Sequence, residues 1–314
     1  MKPKTKLYKI SKEDLDRIEL PDWSNIVIVH IPHKNEETKT ESGIYVVSDQ
    51  DFKPAIHAER WGYIFKKNDN LHYDNKSAAS IPWKTKCEVE VGDKVWFDFR
   101  EALYAYTFDC DGEWYKIINY EFLSLSVGGS KVIKPLNGYV LFSEYKKPKE
   151  SELLLDSKVE EKYGVVEYVG EVNEEYTHPI WGDGIEVNKG DHVLFEEGSK
   201  CFSLESGLHN EFSDDKIILQ QRRKVVAVVD SDHSHVLRLH DMVVGVNHVE
   251  GDNVIGHISL LGDPNSIRVG EVMESGTKNI PVGANVVLPK NKGTEFNGLE
   301  YFTEDRILFY ETTA

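Results

Sequence analysis

The residues best suited to chemistry in this chain gather between positions 230 and 241. His233, His235 and His240 stand there among Asp230, Asp232 and Asp241, nitrogen and oxygen donors of the kind that hold a transition metal. Their spacing follows no recognised zinc pattern, so the stretch is expected to be a solvated turn between two repeats. Three cysteines, Cys87, Cys110 and Cys201, form an odd, sparse set without a CxxC pair, which fits a reducing compartment. Asp109-Cys110-Asp111-Gly112 reads as a hairpin turn with Asp-Gly at its tip. A Gly-x-Ser-x-Gly elbow, a Walker loop and a dinucleotide fingerprint are all missing. The expectation is a protein without catalytic residues, metal or cofactor.

What remains is the chemistry of apolar contact. Residues 33–60 form a polar run of 28 residues, long enough that a functional or disordered loop is expected. Within it lies an apolar tetrad, Ile44-Tyr45-Val46-Val47, preceded by Gly43. Two readings stay open. Either the tetrad orders on binding against a groove or sheet edge, or it is an ordinary core strand. Ordering would cost about 1–2 kcal/mol per residue, so each contact would be weak and several copies would be needed together. A second run, 146–162, carries Leu153-Leu154-Leu155 between Glu152 and Asp156. It is a candidate second docking loop, but no glycine precedes it and local packing is the favoured reading.

The elements that must hold these segments are strands, and they repeat. Val91-Gly92-Asp93-Lys94-Val95-Trp96-Phe97 returns as Val187-Asn188-Lys189-Gly190-Asp191-His192-Val193-Leu194-Phe195, and again, without the aspartate, as Val282-Gly283-Ala284-Asn285-Val286. The glycines lie 98 and 93 positions apart, a domain-sized period. Glycine at this place is expected to supply positive φ at a tight turn. Each repeat also opens on a valine-rich strand (25–29, 138–142, 242–246) and continues with a glycine-led one (62–65, 164–170, 270–276). Each is expected to close on an apolar strand: Phe122–Leu125, Ile217–Leu219 and Ile307–Tyr310. Helical character is confined to residues 11–18, with Ser11 as the cap. The fold class read from this pattern is all-β. It comprises an N-terminal extension at 1–21 and modules at 22–128, 131–229 and 236–312.

The order of these segments resembles the GroES-like co-chaperonin family, the 10-kilodalton partners of chaperonins. The resemblance spans residues 22–312 and is fullest in the second module. It implies three tandem, partly open GroES-like β-barrels, the third divergent. It also implies that Gly43, Ile44, Tyr45, Val46 and Val47 match the family's mobile loop, which docks on the apical domains of a 60-kilodalton chaperonin; Tyr45 departs from the usual aliphatic residue. The insertion at 67–86 matches the place of a roof hairpin, or is a plain surface loop. A homo-oligomeric ring that caps a folding chamber without catalysis follows as the expected function. The alternative is a structural or assembly protein, for example of a phage particle, because family members usually carry one module per chain. The related barrel of zinc-type alcohol dehydrogenases would need a Rossmann domain and zinc ligands, and neither is visible.

Bulk composition limits the partners. With 54 acidic against 37 basic residues and a net charge of −17, the chain repels a phosphate backbone, so nucleic acid is not expected. No apolar run reaches the roughly 18 residues of a membrane span, and cytoplasmic residence is the expectation.

Overall fold

The computed structural model describes residues 7–21, 24–32, 60–69, 71, 87–97, 99–146, 159–170, 185–196, 202–203, 217–248, 254–255, 258–259, 267–289 and 293–312. The first sheet contains β1 (Leu7–Lys9), β2 (Ile26–Ile31), β3 (Trp61–Lys66), β4 (Lys94–Phe97), β5 (Thr107–Cys110), β6 (Glu113–Asn119), β7 (Leu123–Val127) and β8 (Ile133–Pro135). The second contains β9 (Tyr139–Lys146), β10 (Val159–Val169), β11 (His192–Phe195), β12 (Phe202–Ser203), β13 (Ile217–Gln221), β14 (Val225–Val229) and β15 (Val236–Leu239). The third begins at β16 (Val243–His248). A small hairpin of β17 (Val254–Ile255) and β18 (Ile258–Ser259) stands apart. The third sheet then resumes with β19 (Ile267–Ser275), β20 (Asn285–Pro289), β21 (Thr294–Phe296), β22 (Leu299–Thr303) and β23 (Phe309–Glu311).

The three sheets share one topology. Their orders are β5-β6-β2-β3-β4-β7, β12-β13-β9-β10-β11-β14 and β21-β22-β16-β19-β20-β23, extended by β1 and β8 in the first and by β15 in the second. Class is therefore all-β, as expected, and among the described residues none of the three sheets closes into a barrel. Two features differ from the sequence reading. The closing strand of the second repeat is Val225–Val229; Ile217–Leu219 lies in β13, the counterpart of β6. Both stretches are short and apolar, and only strand pairing tells them apart. The lead-in residues 133–135 and 236–239 also join the preceding sheet, where they cover the open edges of β7 and β14.

The repeated glycine turn locks each second strand to the third. Gly92, Gly190 and Gly283 have φ of 93°, 89° and 84°, the left-handed region that favours glycine. Their N–H groups donate to the carbonyls of Ile64, Val166 and Val272, each at 2.8 Å. The return bonds, Ile64 N to Asp93 O, Val166 N to Asp191 O and Val272 N to Ala284 O, are each 2.9 Å. In the first two turns the aspartate also accepts from the backbone three residues back, Asp93 from Glu90 N at 2.8 Å and Asp191 from Asn188 N at 2.9 Å. Ala284 has no side-chain acceptor with which to repeat that bond in the third turn.

Helix α1 (Lys12–Arg17) starts at Ser11, whose Oγ accepts from Asp14 N at 3.1 Å; Leu15 is its buried residue. Helix α2 (Phe99–Tyr104) bridges β4 and β5. The first sheet's core is built from Val27, Val29, Ile64, Val95, Phe97 and Ile118. The first sheet belongs to one compact unit, the second and third together to another. Within that second unit Tyr163, Leu194 and Ala227 pack with Phe296 and Tyr301. Glu196 receives both Lys224 and Arg306 there, the last residues of the short 3₁₀ turns before β14 and β23.

Candidate functional site

The expected docking residues Gly43, Ile44, Tyr45, Val46 and Val47 lie outside the described residues, as do Leu153, Leu154 and Leu155. What the structure gives is the frame that holds the first loop. The chain leaves the first sheet after Ile31 and re-enters through Arg60 into β3, the antiparallel neighbour of β2, with His30 opposite Tyr63. Buried Arg60 accepts Phe97 N–H on its carbonyl at 2.9 Å. Trp61 pairs across the strands with Trp96, and Lys94 Nζ lies 4.6 Å and 4.8 Å from their ring centres. Both ends of the 33–59 segment thus spring from a well-tied sheet.

A surface the sequence reading missed crosses the same sheet. Strand register sets Tyr8 beside Phe108, Phe108 beside Tyr115, Tyr115 beside His30 and His30 beside Tyr63. Cross-strand partners share a face, so these rings form one row. Ring centres lie 6.3 Å apart for Tyr8 and Phe108, and 5.0 Å apart for His30 and Tyr115 and for Phe65 and Tyr115. His30 Nε2 is 2.5 Å from Glu113 Oε2, which fixes the imidazole in the row. Tyr8, Tyr63 and the adjacent Tyr106 are 43%, 39% and 62% exposed. Burial, followed by the neighbouring Cys110, Glu113 and Asp16, pushes the Tyr115 phenol up, so it stays a neutral donor. An aromatic row of this kind offers contact area and hydroxyl donors, which suits another protein surface. Its sequence signal was the alternation of rings at Trp61, Tyr63 and Phe65, and again at Tyr106 and Phe108.

The histidines between 233 and 240 do not converge. Asp230 instead closes the hairpin, accepting from Ser234 N at 2.7 Å, His235 N at 3.0 Å and Ser234 Oγ at 2.7 Å. Burial alone would raise this carboxyl, but those donors hold it well below the usual carboxylate range. His233 stacks on Tyr163 at 4.1 Å and meets His192 Nδ1 through Nε2 at 3.0 Å. His240 is buried; its Nδ1 accepts from Met242 N at 3.1 Å. Among the described residues no group of three or more metal-binding side chains is found.

An ionic cluster of several partners lies in the third sheet. Buried Glu300 accepts from Arg268 Nη1 at 2.7 Å and Nη2 at 3.1 Å, from Gly293 N at 2.5 Å, and meets His248 Nε2. Burial opposes its charge, but Arg268, His248 and the Gly293 amide outweigh that and lower the carboxyl from its ordinary value. With both oxygens engaged the carboxylate is a clasp across β16, β19 and β22, not a base. A cavity edged by Glu196, Thr294, Tyr301 and Arg306 holds about one water, too little for a substrate. Neither a protein-family model nor a curated protein matches the chain.

Proposed function

We propose that the protein is a non-catalytic docking protein of the GroES-like co-chaperonin kind, whose barrel-type modules hold loop 33–59 against the apical domains of a chaperonin. The observation that carries this reading is the same six-strand order written three times, with the long loop of the first copy held between β2 and β3. Ile44 and Val46 would enter the partner's groove as alternate side chains, and ATP hydrolysis would belong to the partner. Capture by a purified 60-kilodalton chaperonin with ATP tests it. Ile44→Ser with Val46→Ser is expected to weaken capture about tenfold or more. An intact protein that never associates overturns the reading.

A second reading, an assembly protein reusing these modules as fixed contacts, is favoured by the exposed aromatic row of the first sheet, a permanent surface rather than a loop. Particle mass separates the two. A closed ring of about seven chains supports the lid; a monomer or trimer supports the assembly role.

A further inference from the structure

The residue after each lead-in strand closes a corner of the core. At the junction that follows β8, Leu136 N donates to Ser124 O at 2.9 Å; at the one that follows β15, His240 N donates to Val226 O at 3.0 Å. The short 3₁₀ turn before the closing strand supplies the other wall of the corner. It opens on Tyr120 in the first sheet, on Arg222 in the second and on Glu304 in the third. Leu136 and Tyr120 are wholly buried in one apolar cluster. The second sheet thus sets an imidazole and a guanidinium where the first sets two core side chains.

In the other two repeats the polar atoms of the turn residue are engaged. Tyr120 Oη accepts from Glu88 N at 3.1 Å, and the Glu304 carboxylate accepts from Asn279 Nδ2 at 2.6 Å. Arg222 donates through Nε to Ile185 O, but among the described residues its two Nη groups meet no acceptor. The His240 side chain is 3% exposed, and its Nδ1 accepts from Met242 N at 3.1 Å. A ring nitrogen that accepts carries no hydrogen, so the neutral imidazole holds its hydrogen on Nε2. That buried Nε2 has no partner among the described residues. Burial lowers the pKa of the ring, and the Arg222 charge adds to this against Asp241, so the two side chains are close. The nearby carboxylates are Asp241, 3.1 Å from Nδ1, and Glu186, beside Arg222. Neither accepts from Nε2 or from the Nη groups. Buried donors without an acceptor are rare in native folds. A planar guanidinium and an imidazole N–H in one corner match the oxygens of an anion.

We propose that Arg222 and His240 form a binding site for one small oxyanion, a phosphate or a carboxylate group, which accepts from the Arg222 Nη groups and from His240 Nε2–H. Arg222 is only half-buried, which leaves the corner open to solvent on its side. The site is independent of what loop 33–59 binds, and its test contains no chaperonin.

The full chain is titrated with inorganic phosphate and, separately, with acetate, at an ionic strength held constant with chloride. A net charge of −17 gives the chain no general attraction for anions, so saturation reports a site. The melting temperature is expected to rise saturably with at least one of the two anions, with a Kd of about 10 mM or below. The imidazole Nε2–H resonance that disappears in His240→Leu is expected to shift over the same concentration range. His240→Leu, which copies Leu136, and Arg222→Gln should each weaken binding about tenfold or more. A response to phosphate alone, or to acetate alone, supports the site and selects the ligand geometry. A rise of equal size in the native chain and both variants is a general salt effect and overturns the proposal. So does a His240 resonance that stays fixed at about 50 mM of either anion, or a ring found to carry its hydrogen on Nδ1.

Discussion

His240 stands where the first junction has Leu136: Leu136 N bonds Ser124 O, and His240 N bonds Val226 O. Leu136 is wholly buried, and His240 is 2% exposed with Nε2 lacking a partner among the described residues. Burial is the main force lowering its pKa, opposed by Asp241 and assisted by the nearby positive charge of Arg222. The folded protein therefore resists a proton that the unfolded chain accepts below about pH 6.5. Stability conferred by neutral His240 is complete above that pH and is lost as pH falls toward the lower folded value. His240→Leu should keep stability at pH 7.5 within about 1 kcal/mol of the native chain. It should also shrink the drop in melting temperature between pH 7.5 and pH 5. An undiminished drop would place the acid sensitivity elsewhere.

At the scale of elements, the direct pairing of β2 with β3 sets no minimum length for the segment that joins them. β2 and β3 are antiparallel neighbours, and such strands can be joined by as few as two residues. Replacing residues 33–59 with a short Gly-Ser linker is expected to leave the melting temperature within a few degrees of native while abolishing the proposed capture by a chaperonin. A collapse of the first sheet, read by hydrogen exchange of β2, would mean that the segment supplies core rather than contact. This separates the two readings left open for Ile44–Val47. Repetition at this scale was legible in sequence because a left-handed turn strongly favours glycine, and Gly92, Gly190 and Gly283 mark it three times. The identity of the closing strand was not. Ile217–Gln221 and Val225–Val229 are alike as strings, and only the short turn at Arg222–Lys224 and the pairing with β11 distinguish them.

For the whole molecule, the second and third sheets behave as one unit because they share apolar packing and the Glu196 pin. The Glu196 side chain is 13% exposed and engages Lys224 from one sheet and Arg306 from the other. Removing one partner of a buried ionic set costs about 3–5 kcal/mol, and partial exposure places this one at or below the lower end. Glu196→Ala should lower hydrogen-exchange protection of β14 and β22 together while leaving β6 unchanged. Loss confined to β14 would show that the sheets open separately.

Sequence by itself determined the all-β class, the triple repeat, the positive-φ turns and the helix cap at Ser11, because each rests on local backbone preference. It also lacks a Gly-x-Ser-x-Gly elbow, a Walker loop and a dinucleotide fingerprint. Tertiary structure decided what depends on partners distant in sequence. It joined Tyr8, Phe108, Tyr115, His30 and Tyr63 into one aromatic row, and it dispersed the histidines of 233–240 into a stack, a turn and a buried ring. It also made Glu300 a clasp, and among the described residues it covered the edges of β7 and β14 but not that of β23. Register across strands fixes such neighbours, and a string of residues carries register only where a turn happens to record it.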